Sequence, residues 1–180
     1  FEISMNDSND EAARLARARL PDGLHPETLA VRTALAPSQH GENSEGLFLT
    51  SAFVQPDAAT SARRFAEMED FTYARTSNPT VRSLEARLAA MEGAEAAVAT
   101  STGMSAILLL VMGLLKAGDH VLCSRSVFGS TISLFAKEFG KFGVETSFVS
   151  QTDLAEWRAA IRPSTKLLFA ETPTNPLTDV

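Results

Sequence analysis

Tyr73 and Arg75 stand two residues apart in the polar stretch DFTYARTSNPT. A phenol and a guanidinium in one loop make a donor set for an anion. The guanidinium offers paired, charge-assisted N–H groups and the phenol adds one O–H. An ordinary solvated arginine is the competing reading. Three further loops hold candidate groups. In TSTGMSA, Gly103 and Met104 follow the hydroxyls of Ser101 and Thr102 and open an apolar run. Free backbone amides at a helix start, with the helix dipole behind them, suit an anion and above all a phosphate. A plain polar cap on a buried helix also fits. In SRSVFGST, Phe128 can present a ring face to a planar ligand or pack into the core. In ETPTNP, Asn175 lies between prolines, where asparagine is common in turns for local reasons alone.

Composition narrows the chemistry. The chain has 180 residues, 44% hydrophobic and 21% charged, with a formal net charge of −6. That length supports one sizeable core. The negative balance argues against non-specific binding to nucleic acid or anionic membrane. Cys123 is the single cysteine and can form no intrachain disulfide, which points to a reducing compartment and a cytoplasmic location. At a strand end, Cys123 reads as a small buried apolar residue rather than a nucleophile. His25, His40 and His120 are scattered without ligand spacing, which argues against a metal. No G-x-G-x-x-G follows an expected strand, which argues against dinucleotide binding. The most apolar run, AILLLVMGLL, is too short to span a bilayer. The polar, charged opening does not read as a secretory leader.

The elements that must position these loops are legible in the periodicity. Asn78 caps a helix, Pro79 suits its first turn, and Val81, Leu84, Leu88 and Met91 fall on one face before Gly93 ends it. Strands are expected at EAAVAT, HVLCS, VETSFVS and KLLFAE. Helices are expected over 105–115, 131–139 and 153–161. Short, apolar, non-alternating strands separated by helices indicate a parallel sheet covered on both faces. The loops of Gly103, Phe128 and Asn175 follow such strands, and ligands of these sheets bind beyond the strands' carboxyl ends. Residues 1–61 read as an arm. It holds a short helix within 1–25, a second over 26–35, a loop, and the extended stretch LFLTSAFV.

The motifs YARTSNPT, TSTGMSA, VFGST and ETPTNP, in this order and spacing, resemble the Cys/Met-metabolism family of enzymes dependent on pyridoxal phosphate (PLP). The likeness runs from ETLAVRTAL at Glu27 to Val180. It implies an α/β fold-type-I PLP-dependent transferase with a mostly parallel sheet flanked by helices. Residues 62–180 would be the first part of its large PLP-binding domain, and the arm would contact a neighbouring subunit. The resemblance also implies roles. Tyr73 and Arg75 would reach across a subunit interface to the neighbour's cofactor phosphate. The amides of Gly103 and Met104 would hold that phosphate from the other side, with the Ser101 and Thr102 hydroxyls nearby. Phe128 would stack on the pyridine ring, and Asn175 would donate to its phenolic oxygen.

Many members have Tyr where Phe128 stands. Phe keeps the stack, loses an acid–base hydroxyl, and is similar to the O-succinylhomoserine sulfhydrylase branch. The implied reaction is γ-replacement on an O-acylhomoserine, O-succinyl-L-homoserine first, by sulfide to give homocysteine in methionine biosynthesis. Cystathionine γ-synthase, a cystathionine or methionine γ-lyase, and a non-catalytic scaffold are the alternatives. The implied assembly is a homodimer or homotetramer with shared active sites. The family's Schiff-base lysine, in an S-x-T-K loop, and the Asp paired with the pyridine nitrogen are both expected beyond Val180. No catalytic residue is therefore expected within the chain. PSTK at Lys166 has only a superficial likeness, because this lysine precedes its strand. Asp179 is too close to Asn175 to be the pyridine partner.

Overall fold

The computed structural model describes residues 20–21, 23–35, 40–67 and 71–180. The helix expected within 1–25 falls largely outside them. The described residues divide into one unit reaching to Ala99 and a second spanning Thr100–Val180.

In the first unit, α1 (Pro26–Arg32) starts on a proline, with Glu27 in its first turn and Arg32 in its last, the order the helix dipole favours. A helix not expected from the sequence, α2 (Ala58–Glu67), follows. Asp57 caps it, accepting the Thr60 N–H at 2.8 Å and the Thr60 hydroxyl at 2.9 Å. An aspartate before an alanine-rich run was the overlooked signal. The expected third helix, α3 (Pro79–Glu92), has Asn78 as its N-cap and ends on Gly93 in the left-handed region (φ 63°, ψ 26°). Asn78 Oδ1 accepts the Thr80 N–H at 2.8 Å, while its Nδ2 donates to the Phe48 carbonyl at 2.9 Å. Thr80 Oγ1 accepts the Phe48 N–H at 3.0 Å. The start of α3 thereby holds the extended stretch in place. Val81, Leu84, Leu88 and Met91 share a face, as the spacing predicts, but each is between 41% and 50% exposed.

In the second unit, α4 (Gly103–Leu114) leads to β1 (His120–Ser124). Next come α5 (Gly129–Ser133), β2 (Glu145–Val149), α6 (Leu154–Ala160) and β3 (Thr165–Phe169). The sheet has the order β2-β1-β3 and both pairings are parallel, as expected. All five residues of β1 are buried, which explains the apolar run Val121, Leu122 and Cys123 between two polar ends, His120 and Ser124, whose side chains are hydrogen-bonded. EAAVAT is not a strand. Residues 96–100 have no ladder partner among the described residues, and an apolar run becomes a strand only when a neighbour takes up its backbone groups.

The helix expected over 131–139 is longer and less regular. After α5 it widens into a π segment at Leu134–Glu138, where the Phe139 N–H donates to the Leu134 carbonyl, then tightens to a 3₁₀ turn at Phe139–Phe142. This places both Phe135 and Phe139 in a core with Val111, Val121, Cys123, Val127 and Val144. The Phe135 ring lies 5.8 Å from that of Phe139 and 5.2 Å from that of Phe169. Gly143 ends the turn at φ 78°, and a Cβ there would meet Ala117 Cβ at 3.0 Å. Burial pushes the Cys123 thiol up to about 12, with the Glu171 charge adding to the effect, so Cys123 is an inert core residue. Among the described residues no helix is long and apolar enough to cross a membrane.

His120 opens β1 fully buried and joins all three strands. Its Nδ1 is 2.8 Å from Thr165 Oγ1 on β3 and its Nε2 is 3.0 Å from Ser147 Oγ on β2. Burial and then the Arg162 guanidinium lower its pKa from the ordinary 6.5, while Glu145 acts in the opposite sense. The unfolded chain therefore takes up this proton at a higher pH than the fold does. The contribution of His120 is complete above about 6.5 and is lost as pH falls through its lower folded value. Urea midpoints of the intact protein should drop between about pH 7.5 and about pH 5.5, and drop less in His120→Asn. Equal drops in the two proteins would remove His120 as the cause.

Candidate cofactor site

The start of α4 is an N-terminus with two unpartnered donors. Thr102 caps it, and Thr102 with Ser105 forms a reciprocal capping box. Thr102 Oγ1 accepts the Ser105 N–H at 3.0 Å, and Ser105 Oγ accepts the Thr102 N–H at 3.0 Å. The Ala106 N–H reaches the Thr102 carbonyl at 3.1 Å. The N–H groups of Gly103 and Met104 have no partner among the described residues. These are the two amides singled out from the sequence. Ser101 is exposed and bonds nothing described, whereas the Thr102 hydroxyl is taken up by the cap.

Met104 also ties this terminus to the next element, because the buried Thr131 hydroxyl points at its sulfur at 3.8 Å. Thr131 belongs to α5, the helix that Phe128 precedes. The loop bearing Phe128 is held on several sides. Arg125 makes a two-point pair with Glu156 at 2.6 and 3.1 Å, and its N–H donates to the Val149 carbonyl at 2.9 Å. The Ser126 N–H donates to Ser124 Oγ at 3.0 Å, and the Phe128 N–H to Glu171 Oε2 at 2.7 Å. Phe128 is 46% exposed, so its ring is a surface face and not core.

Beyond β3, the buried Thr174 closes a turn by accepting the Asp179 N–H at 2.9 Å on its hydroxyl and the Thr178 N–H at 2.8 Å on its carbonyl. The Asn175 N–H donates to the Ser126 carbonyl at 3.2 Å, joining the Asn175 loop to the Phe128 loop. The Asn175 side-chain amide is exposed and unpartnered among the described residues. Gly103, Met104, Phe128 and Asn175 are thus linked through single contacts on the carboxyl side of β1 and β3. Two free backbone amides, an exposed ring and a free carboxamide suit a planar heteroaromatic ring carrying a phosphate. Lys166 is the second residue of β3 and so stands at the opposite end of the sheet.

Tyr73 and Arg75 belong to the first unit. Tyr73 makes an isolated antiparallel bridge with Ala52. The Ala74 N–H donates to the Ser51 carbonyl at 2.9 Å and the Phe53 N–H to the Thr72 carbonyl at 3.1 Å. The extended arm segment therefore shapes the loop. Arg75 is exposed, 5.2 Å from the Tyr73 ring centroid, and makes no hydrogen bond or ion pair among the described residues. Sequence reasoning missed the brace behind it: Arg82 lies 4.3 Å from the Phe71 ring and donates to Ser77 Oγ at 3.0 Å. It also missed Glu171, whose place at a strand end was the available signal.

Comparison with known proteins bears on this arrangement. The family model described as Cys/Met metabolism PLP-dependent enzyme matches residues 27–180. An O-succinylhomoserine sulfhydrylase of Pseudomonas aeruginosa is 54% identical over 160 residues, covering 88% of this chain and 40% of the relative. An L-methionine gamma-lyase of Fusobacterium nucleatum is 38% identical over 150 residues, covering 83% of this chain and 38% of the relative. The solved metY structure of Campylobacter jejuni, which contains an N'-pyridoxyl-lysine-5'-monophosphate, superposes with a TM-score of 0.79 at 29% identity. It covers 88% of this chain and 39% of that one. The chain thus spans about two fifths of the length of the relatives it matches. A match along residues 27–180, through every loop in which the free donors and the exposed ring stand, places the chain in the Cys/Met metabolism family of PLP-dependent enzymes.

Proposed function

We propose that the chain supplies the phosphate- and ring-binding part of a γ-replacement enzyme acting on an O-acylhomoserine, O-succinyl-L-homoserine first, with sulfide as second substrate. The observation that carries this reading is the pair of free amides at Gly103 and Met104, linked through Thr131, Ser126 and Glu171 to the loops of Phe128 and Asn175. When bound, PLP supplies the electron sink that no side chain offers.

The chain's own residues do the rest. The Gly103 and Met104 N–H groups and the α4 dipole bind the phosphate. The Phe128 ring covers one face of the pyridine, excludes water there and brings no proton of its own. Asn175 Nδ2 donates to the ring oxygen. Tyr73 and Arg75 complete the phosphate site of a second copy of the chain, with residues 1–61 serving as an arm against that copy. The half-exposed apolar stripe on α3 supports such self-association into a dimer or tetramer. In the net reaction the Cγ–O bond of the ester breaks, succinate departs, and sulfide forms the new Cγ–S bond.

The identity to the gamma-lyase favours a second reading, γ-elimination from methionine. Product analysis of the intact PLP-loaded protein separates the two. Homocysteine from O-succinyl-L-homoserine and sulfide, in preference to cystathionine from the same ester and cysteine, is the expected result. Methanethiol from methionine as the dominant product would establish the lyase instead.

Gly103 offers a sharper test of the phosphate site. A Cβ at this position meets nothing within 4 Å, so Gly103→Ala should fold normally. The added methyl narrows the approach to both amides, and PLP affinity, read by absorbance titration, should fall by about tenfold. Unchanged affinity would place the phosphate elsewhere.

A further inference from the structure

Glu171 has no part in the roles assigned above, yet its side chain joins the end of β3 to the backbone of Phe128. Its Oε2 accepts the Phe128 N–H at 2.7 Å across 43 residues of sequence. Its carbonyl accepts the Gln151 Nε2 at 3.1 Å, which steadies the residue from the side of β2. Four residues on, the Asn175 N–H meets the Ser126 carbonyl at 3.2 Å. The loop 125–128 and the loop 171–175 therefore share two crosslinks, one to each side of Val127, which is itself buried.

The Phe128 amide stands at the entry to α5, where backbone N–H groups lack helical partners and a carboxylate is a strong acceptor. With that amide held by Glu171 and the Phe128 carbonyl accepting the Thr131 N–H at 2.9 Å, both sides of the residue are anchored and the direction of the Phe128 Cα–Cβ bond is restrained. Without it, the Phe128 backbone is held only from its carbonyl side and through its neighbours, and rotation about its N–Cα bond swings the half-exposed ring.

The geometry points to Glu171 as a positioning residue: by accepting the Phe128 N–H it sets the pitch of the Phe128 ring and locks that ring to the loop of Asn175. The two groups that would meet the cofactor ring then move as one body. This rests on the PLP reading given above. Glu171 touches neither cofactor nor substrate in this role and acts through Phe128.

The test uses the intact protein with Glu171→Met, which keeps the length and removes the acceptor, and Glu171→Gln, which keeps an acceptor oxygen without charge. Three quantities are read: hydrogen exchange at the Phe128 amide, visible circular dichroism of bound PLP, and the PLP dissociation constant. In Glu171→Met the amide should exchange about tenfold faster and PLP should bind about tenfold more weakly. Most of the visible dichroism should disappear, because the ring no longer holds the cofactor in one asymmetric orientation. Glu171→Gln should restore all three toward the parent, a rescue that a merely space-filling side chain would not require. Should Glu171→Met fail to fold, Glu171→Asp withdraws the acceptor by one methylene and should change exchange and dichroism in the same direction. A parent protein that binds PLP, with variants indistinguishable from it in exchange and dichroism, overturns the positioning role alone. A parent with no PLP band at all overturns the cofactor reading and this role with it.

Discussion

Replacing Arg75 by alanine is expected to weaken PLP binding by about 100-fold while the cofactor-free protein melts as before. The size follows from the chemistry of the contact. A guanidinium presents parallel N–H donors to a phosphate dianion, and hydrogen bonds to charged groups are each worth about 1.5–3 kcal/mol. The unchanged fold follows from the structure. Arg75 is exposed, forms no hydrogen bond or ion pair among the described residues, and lies 5.2 Å from the Tyr73 ring centroid. Arg75→Lys should fall between the two, because an ammonium keeps the charge and loses the fork. Absorbance titration of the cofactor-free protein with PLP measures the first effect and thermal melting the second. A variant that melts early with undiminished PLP affinity would make Arg75 a structural residue and refute its phosphate role.

Replacing Phe135 by alanine is expected to cost about 3–5 kcal/mol of stability. Phe135 is 1% exposed and its ring meets those of Phe139 and Phe169, so it joins the helical stretch after Phe128 to β3. Removing the ring leaves a cavity under the sheet that its stiff neighbours, β1 among them, cannot collapse to fill. Phe135→Leu retains most of the volume and should cost about 1 kcal/mol. Urea unfolding of the cofactor-free protein reads both values. A loss below about 1 kcal/mol for the alanine variant would mean that the three-ring cluster does not support the core. The functional consequence is indirect. Phe128 enters the same helical stretch, so loosening Phe135 should also loosen the ring proposed to stack on the cofactor.

The free amides at the start of α4 show how closely local sequence can prescribe a set of donors. Thr102 and Ser105 stand three apart, the spacing of a reciprocal cap, and their mutual bonds engage two N–H groups while leaving those of Gly103 and Met104. Asn78, Pro79 and Gly93 likewise delimit α3 at the residues read from the sequence. The limits of the reading are equally specific. EAAVAT has strand composition and no partner among the described residues, and α2 was overlooked although Ala58, Ala62, Phe65 and Ala66 recur at helical spacing behind the Asp57 cap.

The sequence by itself determined what depends on neighbours within one or two turns: the caps, the apolar run of the central strand, the alternation of strands and helices from β1 onward, and the loops at the carboxyl ends where donors stand free. Periodicity and capping act over three or four residues, so they can be read without knowing what lies opposite. Tertiary structure decided whether Phe128 faces solvent or core, which two loops are crosslinked, and how far the α3 face is covered. The bond from the Phe128 N–H to Glu171 spans 43 residues, and it forms because the parallel pairing of β1 with β3 brings their carboxyl ends side by side. No local pattern encodes that register; it is set by the burial of β1 between its two neighbours.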